Sequence, residues 1–283
     1  MLQLLYDSRD DAYHERVGSQ ILYWLDDLGA VPLDEADPAR DGFLFSGARS
    51  IEDYRQLVAG LPLVRDRPGE REPLLRLDKV LETLELAGVI VPRPRTWVFP
   101  LDAPLPEDLP YPLFVRTAES SWKKGGTISR VRNRTELCYE ADALRRALGW
   151  NATILAREWL DLVPAGDSPY GPVSQELRAW VVDTVPVAWS FHYMHMVRIP
   201  AGFPPSGDDL ATLGRMAGQV AAAFRSRLVA ADFARGRDGR WWFVEAGPGS
   251  CAGTAHEMVF KAVARRLRGE IAELWPDVVG GPF

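Results

Sequence analysis

The segment Leu228–Gly249 reads LVAADFARGRDGRWWFVEAGPG. Leu228–Phe233 and Arg240–Glu245 are two strand-length runs, and Arg235–Arg240 (RGRDGR) between them is a hairpin turn built on Asp-Gly. Asp232 stands at the end of the first strand and Glu245 at the end of the second. Neighbouring antiparallel strands that are apolar along their length and acidic at one end bring two carboxylates to one place. Oxygen ligands of this kind, few and open to solvent, suit Mg²⁺ bound together with substrate phosphates. The Gly-Pro-Gly of Gly247–Gly249 lets a ligand come close to the backbone. On this feature alone, two solvated acids at loop ends remain the alternative.

Three stretches upstream carry compatible chemistry. Ser120–Thr127 (SSWKKGGT) lies between two strands and sets Lys123 and Lys124 beside Gly125 and Gly126, a cationic cap of the kind that closes over phosphates. It lacks the spacing and the following helix of a P-loop, and a solvated basic hairpin tip is its rival. Only four of the 33 basic residues are lysines, namely Lys79, Lys123, Lys124 and Lys261. Arginine fills the generic surface roles, which singles out the retained point charges. Thr153–Leu160 (TILAREWL) is an apolar strand that turns polar at Arg157-Glu158, where edge backbone groups can pair with a purine. A plain core strand reads the same way. Glu176-Leu177-Arg178 opens a further strand with an acid and a base on one face. These could hold a ribose hydroxyl and an anion, or form a surface ion pair of little worth.

Composition bounds the rest. A chain of 283 residues and 31.6 kDa, 47% hydrophobic and 25% charged, is long enough for two or three lobes with a substantial core. No apolar run reaches the roughly 18 residues of a membrane span, and MLQLLYDSRDD lacks the features of a signal peptide, so a cytoplasmic location is expected. The net charge of −6 argues against a general nucleic-acid binder. Two cysteines, Cys138 and Cys251, exclude a disulfide scaffold or a cysteine zinc cluster.

Residues 1–72 read as a small α/β domain. Its strands are Leu2–Tyr6 and Phe43–Phe45, with helices over Val17–Leu28 and, capped by Ser50 with Asp53 at the capping-box position, through Val58. Arg65–Pro73 (RDRPGEREP) reads as a charged linker. Residues 73–152 form a second unit, with a helix over Leu75–Ala87 and extended segments at Val89–Val91, Trp97–Phe99, Leu113–Arg116 and Ile128–Val131. A helix over Thr135–Leu148 follows, capped by Thr135 and carrying Cys138 in the core. Residues 153–283 hold strands Thr153–Arg157, Glu176–Asp183 and Val187–Met196, a helix over Leu210–Arg227, the acidic hairpin and a last helix over Ala255–Leu274. Helices and antiparallel hairpins segregated within each lobe predict an α+β fold.

The ordered set resembles an ATP-grasp enzyme over Leu74 to Gly253. Leu77–Pro92 (LDKVLETLELAGVIVP) and Pro112–Arg116 (PLFVR) are similar to that family's first helix and its "P.vvK" strand, and Ala156–Leu160 (AREWL) to its adenine hinge. The acid-x-Arg of Glu176–Arg178 resembles glutathione synthetase-like and ribosomal-protein-glutamate-ligase-like members, and the spacing of Asp232 and Glu245 is near that of D-alanine–D-alanine ligases. The resemblance implies two α+β lobes gripping ATP behind the small N-terminal domain. It implies Mg²⁺ at Asp232 and Glu245, and phosphates at Lys79, Arg116 and the Lys123/Lys124 loop with Gly125 and Gly126. Base and ribose fall to Glu158, Trp159, Leu160 and Glu176, and the reacting carboxylate to Arg178. The implied reaction is ATP-dependent joining of a small-molecule or peptide carboxylate to an amine through an acylphosphate. The alternatives are phosphoryl transfer to a hydroxyl, or nucleotide binding without catalysis. Two positions depart from the pattern. Arg116 replaces a lysine, and Gly247 stands where an asparagine usually supplies a metal ligand. Compact bacterial and phage members with a glycine-rich segment after the glutamate are the most similar. His192 and His195 alternate with Phe191, Tyr193 and Met194 and read either as an acceptor-pocket wall or as a half-buried sheet face.

Overall fold

A computed structural model describes residues 2–7, 25, 27–47, 50–61, 63–99, 106–119, 130–148, 152–168, 171–191, 205–252, 257–270 and 278–279. The chain opens with β1 (Gln3–Tyr6), β2 (Val31–Pro32), β3 (Gly42–Phe45), helix α1 (Ile51–Val58) and β4 (Val64–Arg65). The four strands are parallel, in the order β2-β1-β3-β4. Ser50 Oγ accepts the Asp53 amide at 3.0 Å, the expected cap of α1. The two-residue strands β2 and β4 are too short to leave a periodic signal. Most of the helix expected over Val17–Leu28 lies outside the described residues.

The stretch expected to be a charged linker is folded. It contains α2 (Pro68–Arg71), and Arg71 is fully buried. The Arg71 guanidinium donates to Ser250 Oγ at 2.9 Å and to the Ser46 carbonyl at 3.3 Å, and lies 4.1 Å from the Tyr54 ring centroid. Asp66 is buried too, whereas Arg67 is exposed. Composition alone does not separate the inward charges from the outward ones, because the partner Ser250 is 179 positions away.

Helix α3 (Leu77–Leu86) leads into the small lobe, made of β5 (Thr96–Phe99), β6 (Leu113–Thr117), β7 (Arg130–Val131), α4 (Arg134–Leu148) and β8 (Ile154–Glu158). Val89–Val91, expected to be extended, joins no strand. The sheet order is β5-β8-β6-β7, antiparallel throughout. Leu137, Ala141 and Leu144 of α4 pack on Leu113, Val115, Ile154 and Ala156. Cys138, expected in that core, is exposed, since it sits about 100° around the helix from Leu137. The cap of α4 is Asn133, not Thr135: Asn133 Oδ1 accepts the Glu136 amide at 2.9 Å.

A hairpin of β9 (Pro164–Ser168) and β10 (Gly171–Ser174), which the sequence did not announce, precedes the large lobe. That lobe contains β11 (Glu176–Val182), β12 (Val185–Phe191), α5 (Gly207–Ala222), β13 (Leu228–Arg235), β14 (Trp241–Pro248), α6 (Glu257–Leu267) and β15 (Val278–Val279). Its sheet runs β14-β13-β11-β12-β15. Strand alternation sends Leu177, Ala179 and Val181 to one face, against Leu213, Ala217 and Val220 of α5. Trp180 and Val182 go to the other face, against Val259, Phe260 and Val263 of α6 and Leu4, Phe43 and Phe45 of the N-terminal sheet. Phe260 touches both Trp180 and Phe45, with ring centroids 5.8 and 6.0 Å away. Leu77, Val80 and Leu84 of α3 join the α5-side core, which also takes in Leu155 of the small lobe. Among the described residues no helix is long and apolar enough to cross a membrane.

Candidate active site

The face of β11 that carries Trp180 and Val182 changes character toward its start, where it presents Arg178 and Glu176. Register places Arg178 opposite Asp232 on β13 and Asp232 opposite Glu245 on β14, so three adjacent strands hold one charged row. Arg178 donates from Nε to Asp232 Oδ1 and from Nη2 to Oδ2, both at 2.8 Å. This is a bidentate fork, and it is nearly closed to solvent, with side-chain exposures of 12% and 2%. The pair is therefore not the weak surface bridge that the sequence left open.

The small lobe faces this row with two more guanidinium groups. On its sheet Phe114 stands opposite Arg157 and Arg116 opposite Leu155, which puts both arginines on the face away from α4. Arg116 Nη1 donates to Glu245 Oε2 at 2.5 Å. Arg157 Nη1 donates to the Val244 carbonyl at 2.7 Å, and its Nε to Thr96 Oγ1 at 3.3 Å. Two consecutive residues of β14 are thus gripped by arginines from the other lobe.

Burial by itself lowers the pKa of Arg178, but the carboxylates of Asp232, Glu245 and Glu176 outweigh it and hold the pKa above the ordinary arginine value. Arg157 goes the other way. Burial first, and the neighbouring Arg116 second, push it down to about 9 against the pull of Glu245 and Glu176. Its Nη2 is buried with no hydrogen-bond partner among the described residues.

Of the residues singled out in the sequence, Arg116, Glu176, Arg178, Asp232 and Glu245 converge in this cluster. Glu158, Trp159 and Leu160 lie at its rim, where β8 ends. The Glu158 carboxylate is 3.4 Å from Arg95 Nε, its amide donates to the Arg95 carbonyl at 2.9 Å, and the Trp159 amide donates to the Pro112 carbonyl at 3.2 Å. The Arg130 guanidinium lies 4.6 Å from the Trp159 ring centroid. Lys79 is half exposed on α3 and meets Glu82 Oε2 at 2.7 Å, one turn along its own helix. Lys123, Lys124, Gly125, Gly126, His192 and His195 lie outside the described residues. Cys251 Sγ donates to the Pro248 carbonyl at 3.3 Å. Arg157 was not picked out for its charge. The available signal was an arginine within the apolar run ILARE, where a buried guanidinium needs a reason.

Asp232 and Glu245 fit a hard cation that keeps its own waters and takes its remaining ligands from phosphates. Among the described residues no group of three or more His, Cys, Asp or Glu could hold a metal ion. Crowding does not exclude a further ligand at Gly247, which shares a face with Glu245. A Cβ built there meets only the Leu74 carbonyl oxygen, at 3.9 Å.

Residues 96–267 match a family model of the ATP-grasp domain, the third family of its clade. No curated protein matches the sequence. Among solved structures, the chain is similar to a RimK domain protein ATP-grasp from Sphaerobacter thermophilus, with a TM-score of 0.60 and 14% identity over 96% of this chain and 100% of that one. It is similar to D-alanine–D-alanine ligase from Bacillus anthracis, with a TM-score of 0.61 and 12% identity over 95% and 99%. A D-cycloserine synthetase matches with a TM-score of 0.56 and 16% identity over 94% and 99%. At such identities the likeness is one of fold. The family match spans more than half of the chain, from β5 through α6, and includes every residue of the charged cluster: the chain belongs to the ATP-grasp domain family.

Proposed function

We propose that this protein is an ATP-dependent carboxylate–amine ligase. The observation that carries the reading is the row Arg178–Asp232–Glu245, met across the lobe contact by Arg116 and Arg157. Such a site concentrates fixed charge where a polyphosphate and a reacting carboxylate meet. In this reading a substrate carboxylate oxygen attacks the γ-phosphorus of ATP, and the bond to the bridging oxygen breaks to release ADP. The amine nitrogen then attacks the acyl carbon, phosphate leaves with the electron pair of the broken C–O bond, and the amine gives up a proton to water. Mg²⁺, held by Asp232 and Glu245, would neutralise charge on the terminal phosphates.

Arg116 exchanges Glu245 for a phosphate oxygen. Arg178 keeps Asp232 aligned and steadies the acylphosphate. Lys79, Lys123 and Lys124 add charge around the phosphates beside Gly125 and Gly126, while Glu158, Trp159, Leu160 and Glu176 take the base and ribose. Positioning and electrostatics dominate, with little for a general base to do. Excluding water protects the acylphosphate from hydrolysis. The acceptors are small-molecule or peptide carboxylates and amines. The arginines already seated on both metal-position carboxylates favour a second reading, nucleotide binding without turnover.

Melting with ATP and Mg²⁺, with ATP alone and with GTP comes first. At about 100-fold excess over Kd a ligand stabilises by about 2.7 kcal/mol, a rise of a few degrees for a chain this long. A Mg²⁺-dependent rise with ATP, followed by ADP release that needs both a carboxylate and an amine, supports the ligase. Binding without such release supports the second reading. A stable phosphorylated product in place of free phosphate would make the protein a phosphotransferase, and no shift with any nucleotide ends all three.

A further inference from the structure

Arg157 is the least satisfied charge in the cleft. It is 3% exposed, and two of its three nitrogens have neutral acceptors, the Val244 carbonyl and Thr96 Oγ1. The third, Nη2, has no acceptor among the described residues. A second guanidinium, Arg116, stands on the same sheet face one strand away, and its charge disfavours the charged form of Arg157. Glu245, whose charge eases that repulsion, accepts its short hydrogen bond from Arg116. A buried N–H without an acceptor is costly, and two like charges in low dielectric add to that cost. Both costs vanish when an anionic oxygen sits between the two groups, because each guanidinium then gains a charge-assisted bond.

We propose that Arg157 and Arg116 form a two-guanidinium anion subsite in the lobe contact, in which Arg157 Nη2 binds a phosphate oxygen of the nucleotide. This rests on the nucleotide reading above and adds a contact to it. Arg157 is a binding residue for the polyphosphate, whereas the hinge that follows it, Glu158–Leu160, serves the base. The backbone bond to Val244 fixes the guanidinium in position before the ligand arrives, so little ordering is left to do on binding.

The test measures affinity by titration calorimetry for three probes: ATP, inorganic tripolyphosphate and adenosine. Wild type is compared with Arg157→Gln, with the uncharged, flexible Arg157→Met and with Arg157→Lys. The uncharged variants should bind ATP and tripolyphosphate at least tenfold more weakly and adenosine as wild type does, with Arg157→Lys in between. Equal tripolyphosphate affinity in a folded Arg157→Gln or Arg157→Met overturns the subsite while leaving ATP binding intact. An equal loss for adenosine also overturns it, because the residue then acts on the whole fold. If neither uncharged variant folds, Arg157→Lys decides: wild-type affinity for tripolyphosphate there overturns the subsite. Wild-type protein that binds tripolyphosphate but not ATP keeps the subsite and removes the nucleotide reading. Binding of neither removes both.

Discussion

Two sets of buried charge lie a few residues apart along β14 and the turn after it, and they are built in opposite ways. In the cleft, Asp232 meets Arg178 through a two-bond fork and Glu245 meets Arg116, so charge is matched by charge. Beside Ser250, Arg71 is held by a hydroxyl, a carbonyl and the Tyr54 ring, while neither carboxylate oxygen of the buried Asp66 has a hydrogen-bond partner among the described residues. Charges that must stay ionised to meet a ligand are paired across strands. Charges that only pin one unit to another make do with neutral partners, and their cost shows up as a dependence on pH.

The sharpest way to break this contrast is at Asp232. Asp232→Asn should lower ADP formation by about 100- to 1,000-fold. It should also destabilise the fold by about 3–5 kcal/mol, because Arg178 then keeps a buried charge without that carboxylate. Adding Arg178→Met should recover most of the stability, read from urea unfolding, and none of the activity. Recovery of both would make the pair a structural bridge like any other.

Arg71→Met comes next. Losing the two bonds and the ring contact should cost about 3 kcal/mol in the same unfolding experiment, with ATP affinity unchanged. A matching loss of ATP affinity would merge the two sets of charge into one.

A smaller effect of opposite sign belongs to Asp66. Burial raises its pKa to about 6, opposed by nearby Ser226, whose hydroxyl donates instead to the Leu228 carbonyl, and by the Arg71 charge. A carboxyl with a raised folded-state pKa favours the fold most below its unfolded value near 4, and that advantage fades as pH rises through about 6. Asp66→Asn should therefore stabilise the protein by about 2–3 kcal/mol at pH 8 and by almost nothing at about pH 3.5. The φ of +68° at this residue suits asparagine equally well. A constant difference across that pH range would contradict the assignment. The smallest effect concerns Gly247. Gly247→Asn should leave stability within about 0.5 kcal/mol and strengthen Mg²⁺-dependent ATP binding several-fold, since the space beside Glu245 admits a side chain.

The charged row was legible in the sequence because its members end apolar strands, and strand alternation then decides which way each side chain faces. Asp232 and Glu245 could be paired from the hairpin alone. Arg157 could not be weighed in the same way: its contacts with Val244 and Thr96 span 87 and 61 positions, and periodicity carries no record of them. The same holds for Arg71, whose neighbours Arg67 and Glu70 look like it in composition and yet face outward to different degrees. The cap of α4 sits at Asn133 rather than Thr135 because both are able caps, and only the backbone path selects between them.

The bond between Arg71 and Ser250 has a consequence for the order in which the molecule is made. The first sheet cannot finish burying Leu4, Phe43 and Phe45 until Val259, Phe260 and Val263 have been synthesised. At about 5–20 residues per second, a nascent chain waits on the order of ten seconds or more with that apolar face uncovered. The N-terminal unit is therefore the part of this protein that most needs a chaperone during translation, and the part that a premature stop would leave most exposed to aggregation.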